Sequence, residues 1–75
     1  MQWGLAVKTA RQACKLTQAQ LGLRVGWSQS DIARLERQPD MLVSTLELLA
    51  AGLDVTCEEL ARTAAVNDEG EEADS

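Results

Sequence analysis

The sequence predicts an all-α fold. Three observations lead there. Strand-like alternation is scarce, while Leu, Ala, Gln, Glu and Arg, all good helix formers, make up most of the 75 residues. There is no Phe or Tyr, and Trp3 and Trp27 are the only aromatic residues, so aliphatic side chains must fill the interior. Finally, the chain carries the start signal of a helix four times over. A chain of this length makes one domain with a thin core.

The first helix is expected from about Trp3 to Cys14, where Trp3, Val7, Ala10 and Cys14 fall on one helical stripe with Lys8, Arg11 and Gln12 beside or opposite it. The next four starts combine a capping box with a hydrophobic staple: Ser or Thr at the cap, an acid or amide three residues on, and apolar residues flanking them. Leu16-Thr17 with Gln20 and Leu21 opens the second helix, and Trp27-Ser28 with Asp31 and Ile32 opens the third. Val43-Ser44 with Glu47 and Leu48 opens the fourth; Val55-Thr56 with Glu59 and Leu60 opens the fifth.

Between the third and fourth helices, Arg37-Gln38-Pro39-Asp40 must be a loop, because Pro39 lacks an N–H and disfavours helical geometry at Gln38. Asp54 is expected to end the fourth helix in a left-handed cap, with Gly52 a mild weakening of its last turn.

The net charge of −5 is misleading as a sum. Five acids, Asp68, Glu69, Glu71, Glu72 and Asp74, lie after Val66, and they account for the whole imbalance. Residues 1–66 are therefore expected to form a neutral domain, and 67–75 a disordered acidic tail. Cys14 and Cys57 have no CxxC and no histidine near them, so neither a zinc site nor a disulfide framework is suggested. Both are expected as small apolar fillers in a reducing compartment. With no signal peptide and no apolar run of ~20 residues, the expected home is the cytoplasm.

The segment QAQLGLRVGWSQSDIARLER, Gln18 to Arg37, resembles the helix-turn-helix of lambdoid phage repressors and Cro proteins, the Xre-like family. Leu21, Val25, Ile32 and Leu35 stand where that motif packs its two helices, Gly22 where only a small residue fits, and Gly26 where it turns left-handed. Arg11, the LTQ of Leu16 to Gln18, Glu36, the STL of Ser44 to Leu46 and the GLDV of Gly52 to Val55 extend the likeness over about residues 3–64. The resemblance implies a compact five-helix, lambda-repressor-like DNA-binding domain from bacterium or phage, working on the nucleoid. Gln38 departs from the pattern by standing where the family has Gly, which implies a different path for that loop.

Within this motif Gln29, Ser30 and Arg34 project from the exposed end of the third helix. Gln pairs with adenine N6 and N7, Arg with guanine O6 and N7, and Ser with either partner type. The resemblance assigns Gln18 to a phosphate and to supporting Gln29, and Arg11 with Glu36 to a salt bridge that holds the scaffold. Ser44 and Thr45 are candidates for a second phosphate through backbone N–H groups, although capping alone would justify Ser44. Lys15, Arg24 and Arg37 are phosphate neighbours or ordinary solvated charges. Asp31 either accepts from cytosine or stays in its capping box, and the cap is preferred; Trp27 is expected to staple Ile32.

An enzyme is not expected, since the chain has no histidine, no metal-ligand cluster and no Gly-rich phosphate loop. No metal or cofactor is expected either. The expected partner is a double-stranded DNA operator, bound as a homodimer that meets near the Asp54-Val55 turn, Cys57 and the fifth helix. The stretch LERQPDMLVSTLELLAAGL also resembles helix-turn-helix antitoxins, which implies a toxin partner as the alternative. The tail would then fold onto a basic partner, compete for the Arg34 face, or simply solubilise. A third alternative is an adaptor that has lost DNA binding, against which Gln29, Ser30 and Arg34 argue.

Overall fold

The computed structural model describes the backbone of residues 2–74 and the side chains of residues 2–65. Among these residues it has five helices and no strand: α1 (Trp3–Ala13), α2 (Gln18–Val25), α3 (Gln29–Glu36), α4 (Val43–Leu53) and α5 (Cys57–Asp74). The backbone of the acidic stretch expected as a disordered tail over 67–75 continues α5 as far as Asp74, and its side chains lie outside the described residues.

α1 starts without a side-chain cap at Gln2. Its first N–H groups are satisfied instead by the loop after α3, as Trp3 N–H donates to the Pro39 carbonyl at 2.9 Å and Gly4 N–H to the Gln38 carbonyl at 3.0 Å. The positive end of one helix thus meets the carbonyl-rich end of another. A Cβ on Gly4 would lie 2.3, 2.6 and 2.7 Å from the carbonyl oxygens of Gln38, Leu35 and Glu36, so only glycine permits this approach. Gln38 needs no left-handed backbone on this path, which answers the family's missing glycine.

The other end of α1 is a Schellman turn. Leu16 N–H donates to Arg11 O and Lys15 N–H to Gln12 O, with Lys15 at φ 58° where glycine is the usual occupant.

Both capping boxes of the helix-turn-helix form in full. Thr17 Oγ1 accepts from Gln20 N–H at 3.1 Å while Gln20 Oε1 accepts from Thr17 N–H at 2.8 Å. Ser28 Oγ accepts from Asp31 N–H at 3.2 Å, and Asp31 Oδ2 from Ser28 N–H at 3.4 Å. Between them Gly26 closes α2 at φ 78°. Asp54 ends α4 left-handed at φ 58°, as expected, and Thr56 Oγ1 accepts from Glu59 N–H at the start of α5.

The expected cap of α4 is wrong. The helix begins at Val43 with Leu42 in the cap position and no side-chain bond, so Ser44 lies inside the first turn. Helical bonding already starts at the Leu42 carbonyl, which accepts from Leu46 N–H at 3.0 Å. Buried Leu46 and half-buried Met41 fix the chain on either side of this turn, and that tertiary constraint overrides a local signal of about 1 kcal/mol.

The core is aliphatic. Val7, Leu21, Ile32, Leu49, Leu53 and Leu60 are its largest fully buried side chains, and Trp3, Ala10, Leu16, Val25, Trp27, Met41 and Val55 pack around them. Cys14 and Cys57 are exposed, contrary to expectation. Cys14 caps the solvent-facing end of α1, its Sγ 3.6 Å from the Leu53 carbonyl, and Cys57 opens α5 before the stripe of Leu60 and Ala64 reaches the core. Gly52 does more than weaken a turn: a Cβ there would come within 2.6 Å of Val25 Cγ1 and 3.3 Å of Leu21 Cδ1, so it lets α4 press against α2.

Candidate nucleic-acid interface

The geometry of the helix-turn-helix follows from Gly22 and Gly26. Gly22 lies where a Cβ would come within 2.4 Å of the Trp27 carbonyl oxygen, and Trp27 N–H donates to the Gly22 carbonyl at 2.8 Å. The turn is therefore as tight as backbone atoms allow. Leu21, Ile32 and Leu35 are buried between the helices and Val25 packs at their edge, which leaves the opposite face of α3 to solvent.

On that face Gln29, Ser30 and Arg34 are all exposed. Arg34 Nη2 reaches Asp31 Oδ1 at 3.3 Å, with the Arg34 side chain 68% accessible. Such an exposed pair is worth little, so Arg34 is free to exchange Asp31 for another acceptor. Asp31 meanwhile keeps its capping bond, as preferred from sequence.

Gln29 is the outer end of a chain of bonds that leads into the core. Its Nε2 donates to Gln18 Oε1 at 2.7 Å, and Gln18 Nε2 donates to Glu36 Oε1 at 3.0 Å. Glu36 is in turn clamped by Arg11, whose Nε donates to Oε2 at 2.6 Å and whose Nη2 donates to Oε1 at 3.2 Å. The third arm of Arg11 holds the connection between α1 and α2, Nη1 donating to the Leu16 carbonyl at 2.7 Å. The Arg11 and Glu36 side chains are only 10% and 3% accessible. The salt bridge expected from sequence and the expected Gln18–Gln29 pair are therefore one continuous network. The bond from Gln18 to Glu36 was not expected, and no local spacing signals it.

The remaining candidates are spread around this network. Lys15 is exposed in the left-handed turn before α2, and Arg37 is exposed at the end of α3. Ser44 is exposed and Thr45 half-buried in the first turn of α4, a helix start that no side chain caps. Arg24 is engaged elsewhere, its Nη1 donating to the Gly52 carbonyl at 3.1 Å, as a cap on the last turn of α4.

Among the described residues no group of three or more potential ligands could hold a metal ion, and no helix is long and apolar enough to cross a membrane. Searches of curated proteins and of solved structures give no significant match. A family model described as helix-turn-helix matches residues 7–60, from within α1 into the first turn of α5, and so takes in the whole network and both capping boxes. The chain thus belongs to the helix-turn-helix family of Xre, Cro and C1 type, a family of DNA-binding regulators.

Proposed function

We propose that this protein is a sequence-specific transcriptional repressor that binds a pseudo-palindromic operator as a homodimer, with α3 in the major groove. The observation that carries the reading is Gln29, an exposed amide on the first turn of α3 that is nevertheless fixed by a bond to Gln18. A mere surface glutamine has no need of such support, whereas a base reader must be ordered before it meets its base. Arg34 and Ser30 supply further groove contacts. Gln18, Lys15, Arg37 and the first turn of α4 at Ser44 and Thr45 hold the phosphates on either side.

The domain has little positive charge to spare, so non-specific attraction is weak and a single copy covers too few base pairs. Pairing near Asp54-Val55, Cys57 and the outer face of α5 brings a second recognition helix one DNA turn away.

The test is selection of bound duplexes from a random pool at stated salt, followed by Gln29→Ala and Arg34→Ala on the selected site. Each variant is expected to lose discrimination at a different base pair, by ~1–3 kcal/mol. Insertion of ~5 base pairs between half-sites should abolish cooperative binding. Unchanged binding by both variants would remove α3 as the reader, and equal binding at both spacings would remove the dimer. A toxin that copurifies with the chain would assign the antitoxin role instead.

A further inference from the structure

We infer that Glu36, acting through Gln18, decides which edge of the Gln29 amide faces the groove, and so makes adenine the base that Gln29 reads. The inference rests on the proposed role of α3 and adds a specificity-determining residue that touches no DNA.

The argument is one of hydrogen-bond polarity. An ionised carboxylate has acceptors and no donors. Glu36 is fixed by Arg11 through both carboxylate oxygens, and its Oε1 also faces Gln18 at 3.0 Å. The atom that Gln18 turns toward it must therefore be Nε2. That leaves Gln18 Oε1 pointing the other way, toward Gln29 at 2.7 Å, where an oxygen can only accept. Gln29 must in turn offer Nε2. One hydrogen of that nitrogen is consumed, so Gln29 presents its second N–H beside its free Oε1.

A donor beside an acceptor fits the N7 and N6–H pair of adenine; against guanine, Oε1 would face O6, an acceptor against an acceptor. Reversing the relay would tie up Gln29 Oε1 and present both Nε2 hydrogens, which fits guanine N7 and O6. Either glutamine alone can rotate its amide by half a turn, so the direction has to be imposed. Glu36 is the member of the chain that cannot reverse, and its near-complete burial keeps water from taking its place.

The experiment measures the affinity ratio of two duplexes that differ only at the step read by Gln29, A·T against G·C, at one salt concentration. Gln29→Ala locates that step. The wild-type protein is expected to prefer adenine by about tenfold or more. Glu36→Gln keeps an acceptor for Arg11 but can offer a donor to Gln18, and the ratio should fall to one or reverse. Gln18→Ala leaves the Arg11–Glu36 pair intact, and it too should bring the ratio to about one while weakening both duplexes. If Glu36→Gln fails to fold by circular dichroism, Gln18→Ala decides. A residue that served only the scaffold or only a phosphate would lower both affinities by one factor, so an unchanged ratio in Gln18→Ala, or in folded Glu36→Gln, overturns the inference. A wild-type preference for guanine overturns it as well. A Gln29→Ala variant that binds normally would overturn the reading of α3 itself, and is thereby told apart from failure of the relay alone.

Discussion

α1 grips α3 with backbone carbonyls and an ion pair, whereas α4 grips α2 with a glycine and aliphatic side chains. At the first junction Trp3 and Gly4 N–H groups sit on the Pro39 and Gln38 carbonyls, and Arg11 clamps Glu36. At the second, Gly52 lies against Val25 and Leu21, with Arg24 closing over its carbonyl. The polar junction is directional and leads onward to Gln18 and Gln29; the apolar one is not, and leads nowhere beyond the core. A junction built of polar groups cannot lose a partner, while one built of methyl groups can yield and repack. The reader is attached to the directional one.

The largest effect should come from breaking the polar junction from one side. Arg11→Ala leaves Glu36 buried and unpaired, and equilibrium urea unfolding should show a loss of about 3–5 kcal/mol. A loss below about 1 kcal/mol would mean that the ion pair holds nothing. Replacing both partners at once, Arg11→Met with Glu36→Leu, should recover most of that stability, because well-packed apolar groups replace buried ion pairs without penalty. The same double variant should lose adenine preference, since Gln18 no longer has an anchor.

Next in size is the contrast between the two glycines. Gly4→Ala drives a methyl into three backbone carbonyls and should destabilise by about 3 kcal/mol, near the upper end of ordinary overpacking. Gly52→Ala meets side-chain carbons that can rotate away, and alanine adds helix propensity, so about 1 kcal/mol or less is expected. Equal melting temperatures for the two variants would erase the difference between the junctions.

The smallest effects separate two helix starts. Ser28→Ala removes the hydroxyl half of the α3 capping box and leaves the Ser28 N–H bond to Asp31, and it should cost about 1 kcal/mol, whereas Ser44→Ala, inside α4, should stay within about 0.5 kcal/mol. If Ser44→Ala proves as costly as Ser28→Ala, α4 is capped by its hydroxyl after all.

Residues that act within one helical turn were legible in the sequence. The boxes at Thr17 and Ser28, the hydroxyl cap at Thr56 and the left-handed Asp54 all rest on residue type and neighbours four residues apart or fewer, so local signals carry them, whereas the left-handed Gly26 and the packing positions Leu21, Val25, Ile32 and Leu35 were read from resemblance. The Arg11–Glu36 bridge and the support of Gln29 by Gln18 came from resemblance, because 25 and 11 residues separate the partners and no local pattern joins them. Tertiary structure decided the rest. Gly4 and Gly52 look ordinary until the carbonyls of Gln38 and the methyls of Val25 are brought against them, Lys15 takes a glycine's conformation because the turn from α1 into α2 needs one, and α4 starts at Val43 because the core fixes Met41 and Leu46. Cys14 and Cys57 read as apolar fillers by residue type, yet which part of a stripe reaches the core depends on where the neighbouring helices end. Sequence fixes local hydrogen bonds and periodicity; only packing decides which groups from distant segments share one place, and the bond from Gln18 to Glu36 exists solely because α2 and α3 are folded against α1.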